Sequence, residues 1–100
     1  MELEIGMYVR TINGKIWIIK SQQAISGHRK DIINASYDII DLIEVGDYVN
    51  GLKVDEIDEK GIYNYNSYDG WRANIASCNE EIKSIVTSEQ FSQMEYKIGE

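Results

Sequence analysis

Apolar and polar positions alternate over short stretches of this chain, and one such stretch is used twice. Glu4-Ile5-Gly6-Met7-Tyr8-Val9 is echoed at Glu44-Val45-Gly46-Asp47-Tyr48-Val49, and an Asn-Gly pair follows each copy, at Asn13-Gly14 and Asn50-Gly51. Alternation that runs into Asn-Gly predicts a β-hairpin, because a two-residue type I′ turn needs positive φ at both central positions. For the first copy this register sets Arg10 opposite Trp17 and Val9 opposite Ile18. One face then carries Val9, Thr11, Ile16 and Ile18 and is the expected core side. The other carries Tyr8, Arg10, Trp17 and Ile19, with Arg10 placed over Trp17 as a cation–π pair. In the second copy Val49 faces Leu52 and Tyr48 faces Lys53.

The rest of the chain continues the pattern. Ser21 to Lys30 is polar and reads as a loop, a strand follows at about Asp31 to Ala35, and Ser36 opens a helical turn through Ile43. A return strand near Leu52 to Ile57, a turn at Asp58 to Gly61 and strands at Ile62 to Asn66, Trp71 to Ala76 and Ile82 to Val86 come next. Thr87 with Gln90 makes a capping box, and Val86 and Phe91 stand at the positions of a hydrophobic staple, so a short helix is expected there, with a closing strand at Tyr96 to Gly99. The chain lacks proline and a low-complexity linker, which predicts one domain over residues 1–100. Short strands, tight turns and one or two short helices predict a mainly β fold, a small barrel or half-barrel of antiparallel strands.

Charge narrows the partners. Residues 1–50 carry five basic and seven acidic side chains and residues 51–100 five and ten, so most of the net charge of −7 lies in the second half. Binding to nucleic acid normally needs a positive footprint that displaces phosphate counterions. A host protein with a basic surface is therefore the expected partner, rather than nucleic acid directly. No run of about 18 apolar residues is present and no membrane association is expected. The opening lacks the basic and apolar regions of a secretory signal, and Cys78 is the single cysteine, which together predict a cytosolic setting.

Candidate chemistry is sparse. The carboxylates Asp55, Glu56, Asp58 and Glu59 have no EF-hand spacing, and adjacent strand residues point to opposite faces, which splits neighbouring acids; a solvated edge explains them, and a docking surface for a basic partner is the functional reading. His28 has no metal-ligand or nucleophile partners at recognisable spacing. Cys78 stands beside Glu80 and Glu81, a context that raises a thiol pKa. No cofactor, metal site or catalytic group is expected. Tyr63, Tyr65, Tyr68 and Trp71, with Arg72, form the segment best suited to protein contact, since tyrosine and tryptophan give rigid amphipathic contact area. Tyr8, Arg10 and Trp17 form an alternative binding face.

Ile39 to Gly51, Glu81 to Phe91 and Met94 to Lys97 resemble small uncharacterised proteins of Firmicutes phages and prophages. Ile5 to Thr11 with Asn13 to Ile16 is similar to their opening, except that Met7 stands where those proteins usually have Asp. That opening also resembles the first strands of Tudor-like and KOW-type barrels, which implies an SH3-like or Tudor-like barrel. The resemblance implies no catalytic residues. It implies a non-enzymatic protein that binds and inhibits a host macromolecule, with an anti-CRISPR or other anti-defence inhibitor of a nucleic-acid-binding nuclease as the expected form, acting as monomer or homodimer. The alternative is a Tudor/KOW-like module contacting nucleic acid or a nucleic-acid enzyme through Trp17, Arg10 and the basic loop.

Overall fold

A computed structural model describes residues 2–65 and 70–94. Among them the fold is mainly β, with nine short strands and two short α-helices. The strands are β1 (Tyr8–Thr11), β2 (Ile16–Ile18), β3 (Ile32–Ser36), β4 (Tyr48–Val49), β5 (Leu52–Lys53), β6 (Glu56–Asp58), β7 (Gly61–Tyr65), β8 (Arg72–Ala76) and β9 (Ile85–Val86). The helices are α1 (Gln22–His28) and α2 (Ser88–Met94), and 3-10 turns lie at Arg29–Asp31, Ile39–Leu42 and Asn79–Glu81. The strands form three antiparallel sheets ordered β2-β1-β3, β5-β4-β9 and β6-β7-β8.

The repeated motif builds the first two sheets in the same way. In each, a hairpin is followed, after an insertion and a 3-10 turn, by a strand that pairs with the free side of the hairpin's first arm. The hydrogen bonds match pair by pair. Gly6 N donates to Ile19 O at 2.8 Å and Gly46 N to Val54 O at 2.9 Å; Ile19 N donates to Met7 O and Val54 N to Asp47 O, both at 2.8 Å. Gly6 and Gly46 share left-handed φ values of 97° and 102°, which is why glycine stands at both. The insertions differ: α1 in the first copy, the sheet β6-β7-β8 in the second.

The second hairpin has the expected register, Tyr48 opposite Lys53 and Val49 opposite Leu52, with Asn50 and Gly51 at φ 53° and 81°. The first hairpin departs from expectation. Val9 lies opposite Trp17 and Arg10 opposite Ile16, one residue out of the two-residue-turn register. Thr11 closes a three-residue loop instead: its N–H donates to Lys15 O at 2.9 Å, its carbonyl accepts from Gly14 N at 2.9 Å, and its hydroxyl accepts from Lys15 N at 3.1 Å. A one-residue slip exchanges faces. Trp17 therefore joins the side of Val9 and leaves that of Tyr8 and Arg10.

Two cores result. Val9, Ile19, Ile25 and Ile32 pack together with Trp17 and Met7 at their edge. Ile25 comes from α1, where a loop was expected. Ser21 caps that helix, its hydroxyl accepting from Ala24 N at 3.3 Å, and Ile25 is the one buried anchor among its seven residues. The second core joins Ile43, Val49, Val54, Ile62 and Ala76. Here the return segment bends at Val54 and Asp55, passing from β4 to β7, to which Asp55 N donates at 2.8 Å (Tyr63 O). The six strands from β4 to β9 thus form two three-stranded sheets that share one core.

The α2 capping box is present: Thr87 N donates to Gln90 Oε1 at 3.2 Å and Gln90 N to Thr87 Oγ1 at 3.3 Å. Phe91 stacks on Tyr48, with ring centroids 4.6 Å apart. The helical turn after Ser36 is the 3-10 turn Ile39–Leu42, and the Ser36 hydroxyl accepts from Asp38 N at 3.0 Å while donating to Asp41 Oδ2 at 2.7 Å. The closing strand expected at Tyr96 to Gly99 lies outside the described residues.

Candidate functional site

The period-two geometry of β6-β7-β8 sorts the acidic and aromatic residues of the second half. Glu56 lies opposite Tyr63, and Tyr65 opposite Arg72, so Glu56, Asp58, Tyr63, Tyr65 and Arg72 share one face. Arg72 organises it. Its Nη1 pairs with Glu56 Oε2 and lies 3.0 Å from Asp58 Oδ2, while its guanidinium sits 4.0 Å above the Tyr63 ring. The Tyr65 hydroxyl donates to the other Glu56 oxygen at 2.6 Å. Tyr63 is buried beneath this layer and Tyr65 is exposed. Trp71, at the entrance to β8, is 76% exposed.

The electrostatics follow from those contacts. The Tyr65 hydroxyl, then Arg72, hold the Glu56 carboxyl below its ordinary range. The Lys60 backbone N–H, then Arg72, lower that of Asp58. The hydrogen bond to Glu56 raises the Tyr65 phenol, and burial followed by the Asp58 charge raises that of Tyr63. All four groups keep their ordinary charge near neutral pH. The face is a fixed lattice of two carboxylates, one guanidinium and two phenols.

Two predicted members stand apart. Asp55 turns to the backbone, its Oδ2 accepting from Tyr65 N at 2.8 Å and Asn64 Nδ2 at 3.3 Å, and Glu59 lies in the β6–β7 turn. Tyr68 lies outside the described residues. Sequence reasoning placed Arg72 in the aromatic contact segment but not with the acids, because its offset from them across two strands gave no local signal.

The alternative face of Tyr8, Arg10 and Trp17 does not assemble. Arg10 is 0% exposed and makes a bidentate pair with the equally buried Asp47, Nη1 to Oδ2 at 2.5 Å and Nη2 to Oδ1 at 2.9 Å. Nη1 also donates to Leu42 O at 3.0 Å, and Nη2 to Glu89 Oε2 at 2.8 Å. Nε lies 3.3 Å from Glu44 Oε2 yet makes no hydrogen bond of good geometry. Burial disfavours the Arg10 charge, but the Asp47 hydrogen bonds and the charges of Asp47, Glu44 and Glu89 outweigh it and raise its pKa. Arg10 is therefore a bolt between the two copies of the motif. The cation–π pair with Trp17 is replaced by an edge-on contact between Trp17 and His28, centroids 5.4 Å apart.

Asp47 is the matching residue that sequence reasoning passed over. Its Oδ2 accepts from Glu44 N at 2.8 Å and Oδ1 from Ser88 N at 2.9 Å. In the first copy Met7 occupies the equivalent position, and its sulfur accepts from Glu4 N at 3.3 Å. The signal was the one charged difference between the repeats.

Cys78 is exposed, and hydrogen bonding to Glu80, then burial and Glu81, pushes its thiol pKa up. Among the described residues no three His, Cys, Asp or Glu side chains are grouped to hold a metal ion. No helix of the described residues is long and apolar enough to cross a membrane.

Fold and face together define a small β protein made from two copies of one three-stranded unit, the second of which carries a salt-bridged, tyrosine-lined sheet. Comparison with known proteins finds no matching family, curated relative or solved structure.

Proposed function

We propose that this is a non-enzymatic binding protein of phage or prophage origin that inhibits a basic host macromolecule, in the manner of an anti-CRISPR or other anti-defence inhibitor. The observation that carries the reading is the convergence of Glu56, Asp58, Tyr63 and Tyr65 on one sheet face beside the exposed Trp71. Acids held by Arg72 are oriented before any partner arrives, which lowers the ordering cost of association. Aromatic anchors in such a setting supply affinity, and the surrounding charges supply steering. A nuclease with a basic nucleic-acid channel presents the complementary surface. The rival nucleic-acid module loses Arg10 and rests on Trp17 and His28 beside Arg29 and Lys30.

The test is affinity capture from a bacterial host lysate with wild type and with Tyr65→Ala/Trp71→Ala as paired baits, at low and at high salt. The expected result is a basic nucleic-acid-processing protein held by the wild type at low salt, released at high salt and lost by the variant. Recovery of nothing, or of the same proteins by both baits, overturns the reading. A gel shift with single-stranded RNA or DNA abolished by Trp17→Ala would favour the rival.

A further inference from the structure

A groove of about 270 Å³ opens between the 3-10 turn Ile39–Leu42, which links β3 to the second copy of the motif, and the β6–β7 turn of that copy. Its floor is aliphatic: Ile40, Ile43, Ile57 and Ile62 line it, with Ile43 and Ile62 buried and Ile57 40% exposed. Its lining includes Asp41 from the 3-10 turn and Glu59 from the β6–β7 turn. Asp58 also reaches the groove but is committed, Oδ1 to the N–H groups of Lys60 and Gly61 and Oδ2 to Arg72. Asp41 is only half used: Ser36 binds Oδ2, and Oδ1 has no hydrogen bond among the described residues. Glu59 has no ion pair or hydrogen bond among the described residues. Lys60, the next residue in the turn, does not line the groove.

An aliphatic floor between two uncommitted carboxylates fits one side-chain chemistry closely. Lysine lays a four-carbon stem along apolar surface and keeps a compact ammonium at the end of it. The volume lies below that of pockets for drug-sized ligands and suits one or two side chains. We propose that the groove receives a lysine and an adjacent aliphatic residue from a basic peptide segment of a partner protein, the ammonium lying between Asp41 and Glu59 and the aliphatic side chain on Ile57. This deepens the proposed function and rests on it in one respect: the partner is a protein with a basic surface.

The probe is the dipeptide acetyl-Lys-Leu-amide, titrated into the whole ¹⁵N-labelled protein with amide shifts as the readout. The expected result is saturable movement of the Ile40, Asp41, Ile57, Glu59 and Ser77 amides. Acetyl-Glu-Leu-amide should leave them in place. Glu59→Lys, in an exposed turn, should weaken binding about two- to fivefold with the spectrum otherwise unchanged. Ile57→Ser should weaken it about threefold or more. Absence of saturable shifts at these amides, or equal shifts from the glutamate dipeptide, overturns the groove. If shifts appear at Tyr63, Tyr65 and Trp71 alone, the groove falls while the sheet-face reading stands. Groove binding that survives a failed lysate capture separates the two in the other direction.

Discussion

Replacing Asp47 with alanine tests the claim that a buried ion pair bolts the two halves together. The Asp47 carboxylate, fully buried, accepts four hydrogen bonds: from Arg10 Nη1 and Nη2, from Glu44 N and from Ser88 N. Its removal leaves the Arg10 guanidinium buried, with Leu42 O at 3.0 Å and Glu89 at 2.8 Å as its remaining hydrogen-bond partners. Breaking a buried pair from one side costs about 3–5 kcal/mol, because the remaining charge is uncompensated. Glu89 moderates that loss, whereas the two orphaned backbone N–H groups add about 1 kcal/mol each. The expected destabilisation stays at about 3–5 kcal/mol, against a total of about 5–15 kcal/mol for a typical domain. Urea denaturation followed by circular dichroism reads it as a midpoint lowered by about 1 M or more, for a slope of about 1–3 kcal/mol/M. The double variant Arg10→Met/Asp47→Ala should recover part of the loss, since the buried cation is gone, giving a coupling of about 0.5–3 kcal/mol. Recovery stays partial because Glu44 N and Ser88 N remain without their acceptor. A loss below about 1 kcal/mol for Asp47→Ala, or additive single variants, would refute the reasoning.

Other perturbations read different parts of the same design. Gly14→Ala should cost about 2–5 kcal/mol in the same denaturation assay, because φ is +83° and the new Cβ would lie 2.2 Å from Thr87 Oγ1. Gly51→Ala, at φ +81° but in open space, should cost about 1–2 kcal/mol, and equal losses at both sites would deny the packing of Gly14 on α2. The depressed carboxyls of Glu56 and Asp58 contribute stability that is complete above their unfolded range and is lost as pH falls through their lower folded values. Thermal melts should therefore decline below about pH 4, and Glu56→Gln/Asp58→Asn should flatten that decline. Cys78, exposed but held as a thiol by Glu80 and Glu81, should react with iodoacetamide at neutral pH more slowly than a cysteine tripeptide, and Glu80→Gln/Glu81→Gln should speed it.

What the chain spells out locally came through, and what depends on distant partners did not. Asn50-Gly51 sets its hairpin register from two residues, and the Thr87–Gln90 box sets a helix start from four. Adjacency on a strand separates Asp55 from Glu56 as expected, whereas Asp58, which reads as a turn residue, ends β6 on the face of Glu56. Asn13-Gly14 looks the same as Asn50-Gly51, yet its loop is three residues long, with the Thr11 hydroxyl bonded within it and Gly14 packed against Thr87 and Glu89 from the far end of the chain. Arginine reads as surface in any local window, and the partner that buries Arg10 lies 37 residues away. Helix α1 is seven residues with one buried anchor, too short for a 3.6-residue period to emerge.

Duplication explains why the binding candidates fall in the second half. Both copies spend the glycine turn of the motif on the same backbone hydrogen bonds. The copies differ in the insertion, in the hairpin loop and at the position after the motif's glycine, Met7 against Asp47. In the first copy the insertion is α1, which turns Ile25 inward and completes a core. In the second it is a whole sheet, whose inner side supplies Ile62 and Ala76 to the core and whose outer side is left to Glu56, Tyr65 and Arg72. The exchange of Met7 for Asp47 supplies the charge that fastens Arg10, whose guanidinium also holds the Leu42 carbonyl at the end of the turn that walls the groove. Loosening that bolt should therefore blur the groove amides before it disturbs the sheet face, because Arg10 also donates to Leu42 O in the turn that walls the groove, and among the described residues makes no contact with the face.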